Sequence, residues 1–503
     1  KADYLGPVYF AVQNSYLLLD KNNRFNGDAF LTRADMLRVF SCAVDSGLRD
    51  KNYRLQVPAV FSDNAILQGG KPIPISGRGM SGDTVTVRFN GQTKTSRVVD
   101  GKWSIELDSQ PYGGPYSLTI KDSGYTCTFR GLYVGEVFVV AGQSNAEWSV
   151  YESDDNRDTL RKFNNQTRVR LFCPTSRMAA TPLFDTETKW EVASDQYSEH
   201  IMGSASAIGV FYVQKLMEIN PELKNVRIGI IQMTYGGTSI ELFLPDCVNE
   251  KNHLVQKDNE FIASGFWNGY MDAVTPYAVK ALIFYQGENS VHLGYQYEPL
   301  LRDYIWGVRQ EFNDPSLPIM LVQLAGYGDN YGQDNDRWPY IREVQMRVAN
   351  TTNRVGLVTA IDLSGKDPLN IHPKAKRPVG DRLAYLSMDM VYGMDYHKQS
   401  PILVKTELNG NVFRLRFNTG KLTIRQNAPG DIAFEILDAG GRWIPAQAKT
   451  EGDALLVWND RVIAPKGVRY AWANYPKACL FNEYGLPVLP FNTTKDLYKI
   501  MPH

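Results

Sequence analysis

Between residue 135 and about residue 395, short apolar segments alternate with longer segments of helical periodicity. In the segment 298–311, for example, Leu301, Ile305 and Val308 recur at the spacing of one helix face. Such alternation is typical of βαβ units, whose strands form a parallel sheet. The sequence therefore predicts an α/β domain over 135–395, with a further helix at 205–217. Its strands are predicted at 137–140, 226–232, 281–285, 319–323 and 355–361.

The regions on either side of this domain have the period-two pattern of β-strands. Thr84–Phe89 alternates and leads into Asn90-Gly91, which is a strong hairpin-turn sequence. Beyond residue 396, Val412–Phe417 also alternates, and glycine-containing turns separate it from the apolar segments Ile432–Leu437 and Ala454–Trp458. We therefore predict one β-sandwich over 56–134 and a second over 396–503.

Residues 1–55 are predicted to form a short helical segment. Thr32 is placed to cap a helix whose first turn carries Asp35 and whose apolar positions include Leu37 and Phe40. The run Thr32-Arg-Ala-Asp35 weakly resembles the end of an S-layer homology repeat. A small helical extension packed on the next domain explains the same pattern equally well.

Composition narrows the classes of function. The 503 residues carry 54 Lys plus Arg and 54 Asp plus Glu, without a basic run, so nothing indicates binding to nucleic acid or to an anionic membrane. The five cysteines lie far apart and form no C-x-x-C pair, which argues against a zinc site or a disulfide framework. No apolar run is long enough to span a bilayer, and no signal peptide opens the chain.

The first candidate for chemistry is Ser144. The apolar run Val137–Ala141 stops abruptly at Gly142-Gln-Ser-Asn145, as a buried strand does when it ends in a tight turn. Reactive side chains of α/β proteins lie at the carboxyl edge of the sheet, so Ser144 is a candidate nucleophile. The alternative is that Ser144 only caps the following helix.

A serine nucleophile needs a base, and His372 is the best placed of the six histidines. It lies in the loop Asp367-Pro-Leu-Asn-Ile-His-Pro373, shortly after a predicted strand; taken alone it could be an ordinary surface histidine. Hydrogen-bond donors for an oxyanion are available at the Ser144 amide, in the Gly236-Gly237 backbone and on the side chain of Asn289.

Four motifs then carry a family resemblance: Gly142-Gln-Ser-Asn145, Tyr235-Gly-Gly-Thr238, Tyr285-Gln-Gly-Glu288 and Ile371-His-Pro373. In this order they resemble the block pattern of the sialate O-acetylesterase-like carbohydrate esterases, a branch of the SGNH hydrolases. The resemblance implies a three-layer α/β/α domain with a parallel sheet, and metal-free and cofactor-free hydrolysis of O-acetyl esters on sugars. It implies Ser144 as nucleophile and His372 as base, with Gly236, Gly237, Gln286 and Asn289 serving the oxyanion and substrate.

Three positions depart from the family pattern. Ala146 replaces the usual Met, Asn289-Ser290 reverses the usual order after Glu288, and Asn370 stands where many relatives carry Asp. The acid that orients His372 is therefore assigned jointly to Glu288 and Asp367. Asp362, Asn370 or a backbone carbonyl remain alternatives. The aromatic residues that flank the motifs, Trp148, Tyr235 and Tyr285, could stack on a sugar or simply pack around the site.

The predicted function is removal of O-acetyl groups from carbohydrates, with 9-O-acetylated sialic acid as the expected substrate. The alternatives are an acetylesterase acting on plant polysaccharide such as acetylxylan or xyloglucan, and a non-catalytic glycan-binding surface protein. We expect the protein to be secreted, periplasmic or associated with the cell surface.

Overall fold

The computed structural model describes residues 55–154, 166–174, 178–186, 188–192, 202–248, 263–275, 277–328, 337–425 and 433–494. The predicted helix after Thr32, and with it the S-layer-like run, lies outside these residues. Four of the five cysteines lie within them, and all four are free thiols.

The first β region follows the predicted alternation. In the strand that begins at Thr84, the side chains of Val85, Val87 and Phe89 are buried while Thr84 and Arg88 are exposed. The Asn90-Gly91 hairpin is confirmed, with positive φ at both residues, as a type I′ turn requires. The eight strands of this region are β1 Leu55–Gln56, β2 Ile66–Gln68, β3 Ile73–Gly79, β4 Thr84–Phe89, β5 Gln92–Arg97, β6 Lys102–Leu107, β7 Gly113–Lys121 and β8 Thr126–Gly142.

Strand β8 belongs to two parts of the fold. Its first half pairs antiparallel with β7, its middle pairs with β2, and its second half lies at the centre of the large sheet. The predicted boundary between residues 134 and 135 thus falls inside one continuous strand. At the crossing point Glu136 is fully buried, accepts a hydrogen bond from Gln68 and pairs with Lys280 at 3.3 Å.

The large sheet is parallel in its second part. Its strand order is β10-β9-β11-β8-β12-β13-β14, and only the edge strand β10 runs antiparallel to its neighbour. Because the chain adds β11 on one side of β8 and β12 on the other, the carboxyl end of β8 is a topological switch point, where α/β sheets open a crevice. These strands are β9 Val169–Phe172, β10 Glu191–Val192, β11 Ile228–Thr234, β12 Ala281–Tyr285, β13 Ile319–Gln323 and β14 Val355–Thr359.

Helices pack against this sheet. Tyr212 of α2 contacts Phe138 of β8 edge-on at 5.1 Å and hydrogen-bonds Ser387 of α5. Tyr304 of α3 stacks on Phe284 of β12 at 4.1 Å. The helices are α1 Ser144–Glu147, α2 Ala207–Ile219, α3 Tyr297–Glu311, α4 Arg337–Thr351 and α5 Arg377–Met390. Shorter segments are the 3-10 turns Ala59–Phe61, Val150–Glu152, Gln166–Arg168, Pro221–Leu223, Ile240–Leu242 and Glu288–Gln296, and a π-helical turn at Trp267–Met271.

Residues beyond 400 form antiparallel sheets around a second core that includes Phe417, Tyr470 and Phe491. Arg342 of α4, which is fully buried, connects this region to the α/β region by donating to the carbonyls of Ala473 and Asn474. The strands are β15 Leu403–Asn409, β16 Val412–Phe417, β17 Leu422–Ile424, β18 Phe434–Leu437, β19 Trp443–Pro445, β20 Gln447–Glu451, β21 Ala454–Trp458, β22 Gly467–Tyr470, β23 Leu480–Asn482 and β24 Phe491–Asn492.

Candidate active site

Ser144 lies in the turn that ends β8. Gly142 has φ 137°, and a Cβ at that position would lie 2.1 Å from the carbonyl oxygen of Tyr285, so only glycine fits. The Gln143 amide donates to this Tyr285 carbonyl at 3.1 Å, and the Tyr235 amide donates to the Gly142 carbonyl at 3.0 Å. Backbone bonds to both neighbouring strand ends therefore fix the turn.

The alternative role of Ser144 as a helix cap is wrong. Helix α1 begins at Ser144 itself, and its N-cap is Gln143. The amides of Ser144 and Asn145, as the first of the helix, have no acceptor within it. The Ser144 amide is thus available as a donor beside its own hydroxyl.

His372 contacts Ser144 directly: its Nε2 lies 2.8 Å from the Ser144 Oγ. Asn370 fixes the loop by accepting a hydrogen bond from the His372 amide at 3.0 Å. The ring of Trp148 stacks on the imidazole, with 4.7 Å between centroids. The structure thus brings together the two residues that the sequence predicted as nucleophile and base, although they are 228 positions apart.

Electrostatics around His372 favour the neutral imidazole. Partial burial is the main cause that lowers the pKa of His372, and the nearby charge of Lys376 lowers it further, whereas the carboxylate of Glu152 acts in the opposite direction. An imidazole that is neutral near pH 7 can accept the proton of a serine hydroxyl. The environment therefore suits a general base.

The predicted acids occupy different places. Glu288 is buried, and its Oε1 accepts a hydrogen bond from the Asn145 side chain at 2.6 Å. Asp367 is exposed and accepts from the Leu369 amide in its own loop, while Asp362 pairs with Arg382 at 2.7 Å. Within the described residues, none of these three carboxylates hydrogen-bonds His372.

Burial is also the main influence on Glu288. It raises the pKa of Glu288, against which the hydrogen bond from Asn145 and the charge of Lys376 act. Glu152, which the sequence did not single out, is the carboxylate whose charge acts on His372. It is exposed and accepts hydrogen bonds from the amide and the hydroxyl of Ser149.

The glycine pair lies beside the nucleophile. A Cβ at Gly236 would lie 3.5 Å from the Ser144 Cβ. The Gly236 backbone hydrogen-bonds the carboxylate of Glu147, and burial raises the pKa of that carboxyl. Gly237 has φ 72° and open space around its Cα, and its carbonyl accepts from the Asn289 side chain at 2.9 Å. Asn289 thus lies on the side of the glycine pair despite its altered motif order.

Gln286 is buried and connects the strand ends. Its side-chain nitrogen lies within hydrogen-bond distance of the Gln143 side chain, the Thr238 carbonyl and the Ser290 hydroxyl. Tyr297 donates to the Gln286 side-chain oxygen at 2.8 Å. With 1% of its surface exposed, Gln286 supports the site from below.

The three aromatic residues beside the motifs differ in position. Tyr285 is fully buried, so packing is its role. Tyr235 lies near the ring of Phe266, at 6.1 Å between centroids. Trp148, which is half-buried, contacts His372 rather than standing apart as a platform.

Among the described residues, one group of side chains away from Ser144 has a spacing that could suit a metal ion. Asp389, Asp395 and His397 have ligand atoms within 4.8 Å of one another. They lie at the C-terminal end of α5, whereas His372 precedes its N-terminal end. The Asp389 carboxylate already accepts hydrogen bonds from the amides of Tyr396 and His397. They have no place in the chemistry of Ser144.

Sequence reasoning missed four residues of the site: Asn145 in its bridging role, Glu147, Glu152 and Lys376. Asn145 stands inside the first motif, so its position gave a signal. The other three are charged residues without a distinctive spacing, and only the tertiary contacts bring them to the site.

Comparisons with known proteins agree with this site. A model of carbohydrate esterases matches residues 134–389, just over half of the chain and the stretch that contains all four motifs. The chain is therefore a carbohydrate esterase, a hydrolase of carboxylic esters. It belongs to the family described as "Carbohydrate esterase, sialic acid-specific acetylesterase". The resemblance drawn from the motifs is confirmed, and a purely non-catalytic glycan-binding protein is the wrong class.

The match to two relatives extends over nearly the full length of each. The sialate O-acetylesterase of Rattus norvegicus is 23% identical, over 86% of this chain and 93% of its own. The crystal structure of a carbohydrate acetylesterase from Xanthomonas citri is 28% identical, with a TM-score of 0.77, over 87% of this chain and 99% of its own.

Among the described residues, none of the helices combines the length and apolar character needed to cross a membrane.

Proposed function

We propose that this esterase removes O-acetyl groups from sialic acids, with Ser144 as nucleophile and His372 as base and then acid. The observation that carries the proposal is the 2.8 Å contact between His372 Nε2 and Ser144 Oγ at the carboxyl end of β8. The family description and the name of the rat relative support the sugar class.

The reaction has two halves. His372 Nε2 takes the hydroxyl proton while Ser144 Oγ bonds to the acetyl carbon, and the imidazolium then gives that proton to the departing sugar oxygen. In the second half, His372 takes a proton from water as its oxygen attacks the acetyl-serine, and returns that proton to Ser144 Oγ as acetic acid leaves. The acid then gives its own proton to the solvent and becomes acetate. Each half passes through an oxyanion.

The donors for the oxyanion come from three strand ends: the Ser144 amide after β8, the backbone of Gly236-Gly237 after β11 and the Asn289 side chain after β12. The Gly236 backbone faces the carboxylate of Glu147, and one N–H of the Asn289 side chain donates to the Gly237 carbonyl. The Gly237 amide and the second N–H of Asn289 are therefore the donors that join Ser144. Gln286 positions Gln143 beneath them. Glu288 and Asp367 remain our candidate acids, and Glu288 acts through Asn145 rather than on the imidazole.

The SGNH-type arrangement is part of the proposal. In register, Phe284 of β12 lies beside Ala141 of β8, so it faces away from Phe138. Phe138 contacts α2 and Phe284 contacts α3, which supports helices on both faces of the sheet. We retain a catalytic domain at 135–395, β-sandwiches at 56–134 and 396–503, and an extracytoplasmic location where acetylated glycans occur.

Acetate release tests the proposal. The wild-type enzyme is incubated with 9-O-acetylated sialic acid, and Ser144→Ala is expected to lose activity by about 10³-fold or more while keeping its fold. Ser109→Ala, which removes an exposed serine of the first β region, is the control and should behave as wild type. Undiminished hydrolysis by Ser144→Ala would overturn the nucleophile assignment.

A second sugar class is also tested. The Xanthomonas citri relative is described as a carbohydrate acetylesterase without a named sugar, and acetylated xylan or xyloglucan is the second candidate substrate. If acetate is released faster from these polysaccharides than from sialic acid, the plant substrate replaces the first proposal. A fluorophosphonate probe should label Ser144 in either case.

A further inference from the structure

Lys376 is a buried lysine beside the catalytic pair. Only 1% of its surface is exposed, which is rare for a lysine unless it has partners. Its Nζ donates to Asn145 Oδ1 and lies 5.7 Å from the ring of Trp148 and 5.8 Å from that of Tyr285. Burying a charged ammonium group costs free energy unless it is paired and hydrogen-bonded. The contacts of Lys376 in the site must therefore offset this cost.

Asn145 extends this contact in two directions. Its Nδ2 donates to Glu288 Oε1 at 2.6 Å and to the carbonyl of Ile371 at 3.0 Å. The chain Lys376–Asn145–Glu288 therefore joins the loop of His372, the nucleophile turn and the end of β12. Ile371 immediately precedes His372, and Asn145 immediately follows Ser144.

Few other contacts hold the base over the nucleophile. Asn370 caps the loop from within, and Trp148 covers one face of the imidazole. Besides the contact between His372 and Ser144, the bond from the Asn145 side chain to the Ile371 carbonyl joins the histidine loop to the nucleophile turn. Because the Asn145 side chain accepts a hydrogen bond from Lys376 and donates to Glu288 and to the Ile371 carbonyl, the amide is held in one orientation.

From this geometry we propose that Lys376 is a positioning residue: acting through Asn145, it holds the loop of His372 in register with Ser144. The inference rests on the proposed function, because it assigns Lys376 a part in the same reaction. Lys376 does not touch the reacting atoms, so its removal slows turnover without removing the nucleophile or the base.

The charge of Lys376 gives a second, separable consequence. The charged groups that face His372 are Lys376 and Glu152, and those that face Lys376 are Glu288 and Glu152. Burial lowers the pKa of Lys376 to about 7, and both carboxylates act against this. While it is protonated, Lys376 disfavours a protonated His372, so it shifts the acid limb of the activity profile toward lower pH.

Two substitutions separate the hydrogen bond from the charge. Lys376→Met removes both, and Lys376→Gln removes the charge while keeping a donor for Asn145. The matched control is Lys374→Met, which changes an exposed lysine in the same loop. Each variant is assayed for kcat and KM across pH with an acetyl ester, and its melting temperature is recorded.

Lys376→Met is expected to lower kcat by roughly 10- to 100-fold with little change in KM. Its acid limb should move to higher pH, because the cation that opposes protonation of His372 is gone. Lys376→Gln should recover part of kcat but keep the shifted limb, and Lys374→Met should match wild type. If Lys376 only stabilised the fold, Lys376→Met would lower the melting temperature. The folded fraction of the variant would then keep the wild-type kcat and the wild-type acid limb of the pH profile.

The inference is overturned if folded Lys376→Met keeps the wild-type kcat and acid limb, or if Lys374→Met loses as much activity. Should Lys376→Met not fold, folded Lys376→Gln decides: a kcat at the wild-type level overturns the inference, and a reduced kcat together with a shifted acid limb supports it. Failure of the proposed function looks different, because the wild-type enzyme itself would then release no acetate.

Discussion

The two catalytic segments are held in different ways. The Ser144 turn lies between two strand ends and is fixed by backbone bonds, from Gln143 to Tyr285 and from Tyr235 to Gly142. The His372 loop follows β14, and backbone bonds from Gly328 to Pro368 and from Asp154 to Lys374 attach its two ends. Between these ends, the histidine itself is held by the side chains of Asn370, Asn145 and Trp148. The nucleophile thus lies directly at the end of a central strand, whereas the base lies on a loop packed against the sheet. Substitutions that disturb the backbone of the first segment should therefore mainly lower stability, and those that remove supporting side chains of the second should mainly lower activity.

The largest effect is expected at the nucleophile turn. Gly142→Ala forces a side chain into the Tyr285 carbonyl at a φ that favours glycine, so we expect a loss of roughly 3 kcal/mol or more in the free energy of unfolding. Gly410 has φ 62°, in the left-handed helical region, and open space around it, so Gly410→Ala should cost about 1–2 kcal/mol. Urea unfolding measures both. Equal losses would show that the clash at Tyr285 is relieved.

The second prediction compares the two candidate acids. Glu288→Gln leaves Lys376 without its buried opposite charge and should reduce kcat by about tenfold. Asp367→Asn keeps the acceptor for the Leu369 amide on an exposed loop, so its kcat should stay near wild type. Steady-state kinetics on the same acetyl ester distinguish them. A larger loss in Asp367→Asn would instead make Asp367 the orienting acid.

A third prediction tests the cap inside the histidine loop. Asn370→Ala removes the acceptor of the His372 amide, and the loss of one such bond should lower kcat/KM by about fivefold. Asn418→Ala breaks an equivalent bond, to the Ile402 amide, in the C-terminal region. It should lower stability without touching kcat/KM. Equal activity of the two variants would show that the loop keeps its shape without Asn370.

The smallest effect concerns Glu152. Its carboxylate stabilises the imidazolium of His372, so Glu152→Gln should lower the pKa of His372 and move the acid limb to lower pH. Because Glu152 is exposed, a shift on the order of 0.3 pH unit is expected. About 1 M salt should abolish the difference between variant and wild type. A limb that moves upward would contradict the sign of this interaction.

Wild-type activity should follow from the same electrostatics. His372 must be neutral to act as base, and its pKa lies below the ordinary value because of burial and Lys376. The acid limb of kcat/KM should therefore lie below about pH 6.5, with activity gained as pH rises through it. A pH series on the acetyl ester measures this limb, and a midpoint well above that value would contradict the described environment.

Much of the fold could be predicted because local patterns agree with it. The strands at 281–285 and 319–323 have the predicted bounds, since each is a short run of mainly apolar residues that ends where polar residues begin. The pairing of Ser144 with His372 was predictable because both follow strands whose carboxyl ends meet at one edge. In contrast, β8 begins well before the predicted residue 137, since glycines at 131 and 135 interrupt its apolar pattern.

The remaining features depend on contacts that sequence spacing does not encode. Lys376 is four positions from His372 and looks like a solvated loop lysine until the structure shows it buried against Asn145. Glu152 reaches His372 because the Asp154 amide bonds the Lys374 carbonyl, which joins two loops that are remote in the chain. The orienting acid was the weakest prediction for the same reason: four carboxylates lie near the loop in sequence or in space.

The single strand that serves both the first β region and the catalytic sheet has an implication for protein engineering. Modules of carbohydrate-active enzymes are commonly exchanged at the seams between them, and here the apparent seam runs through the middle of β8. A swap at residue 135 would separate the nucleophile from the β2 pairing and from the Gln68 contact that brace its strand. In such an exchange, the first β region and the catalytic serine must therefore be transferred together.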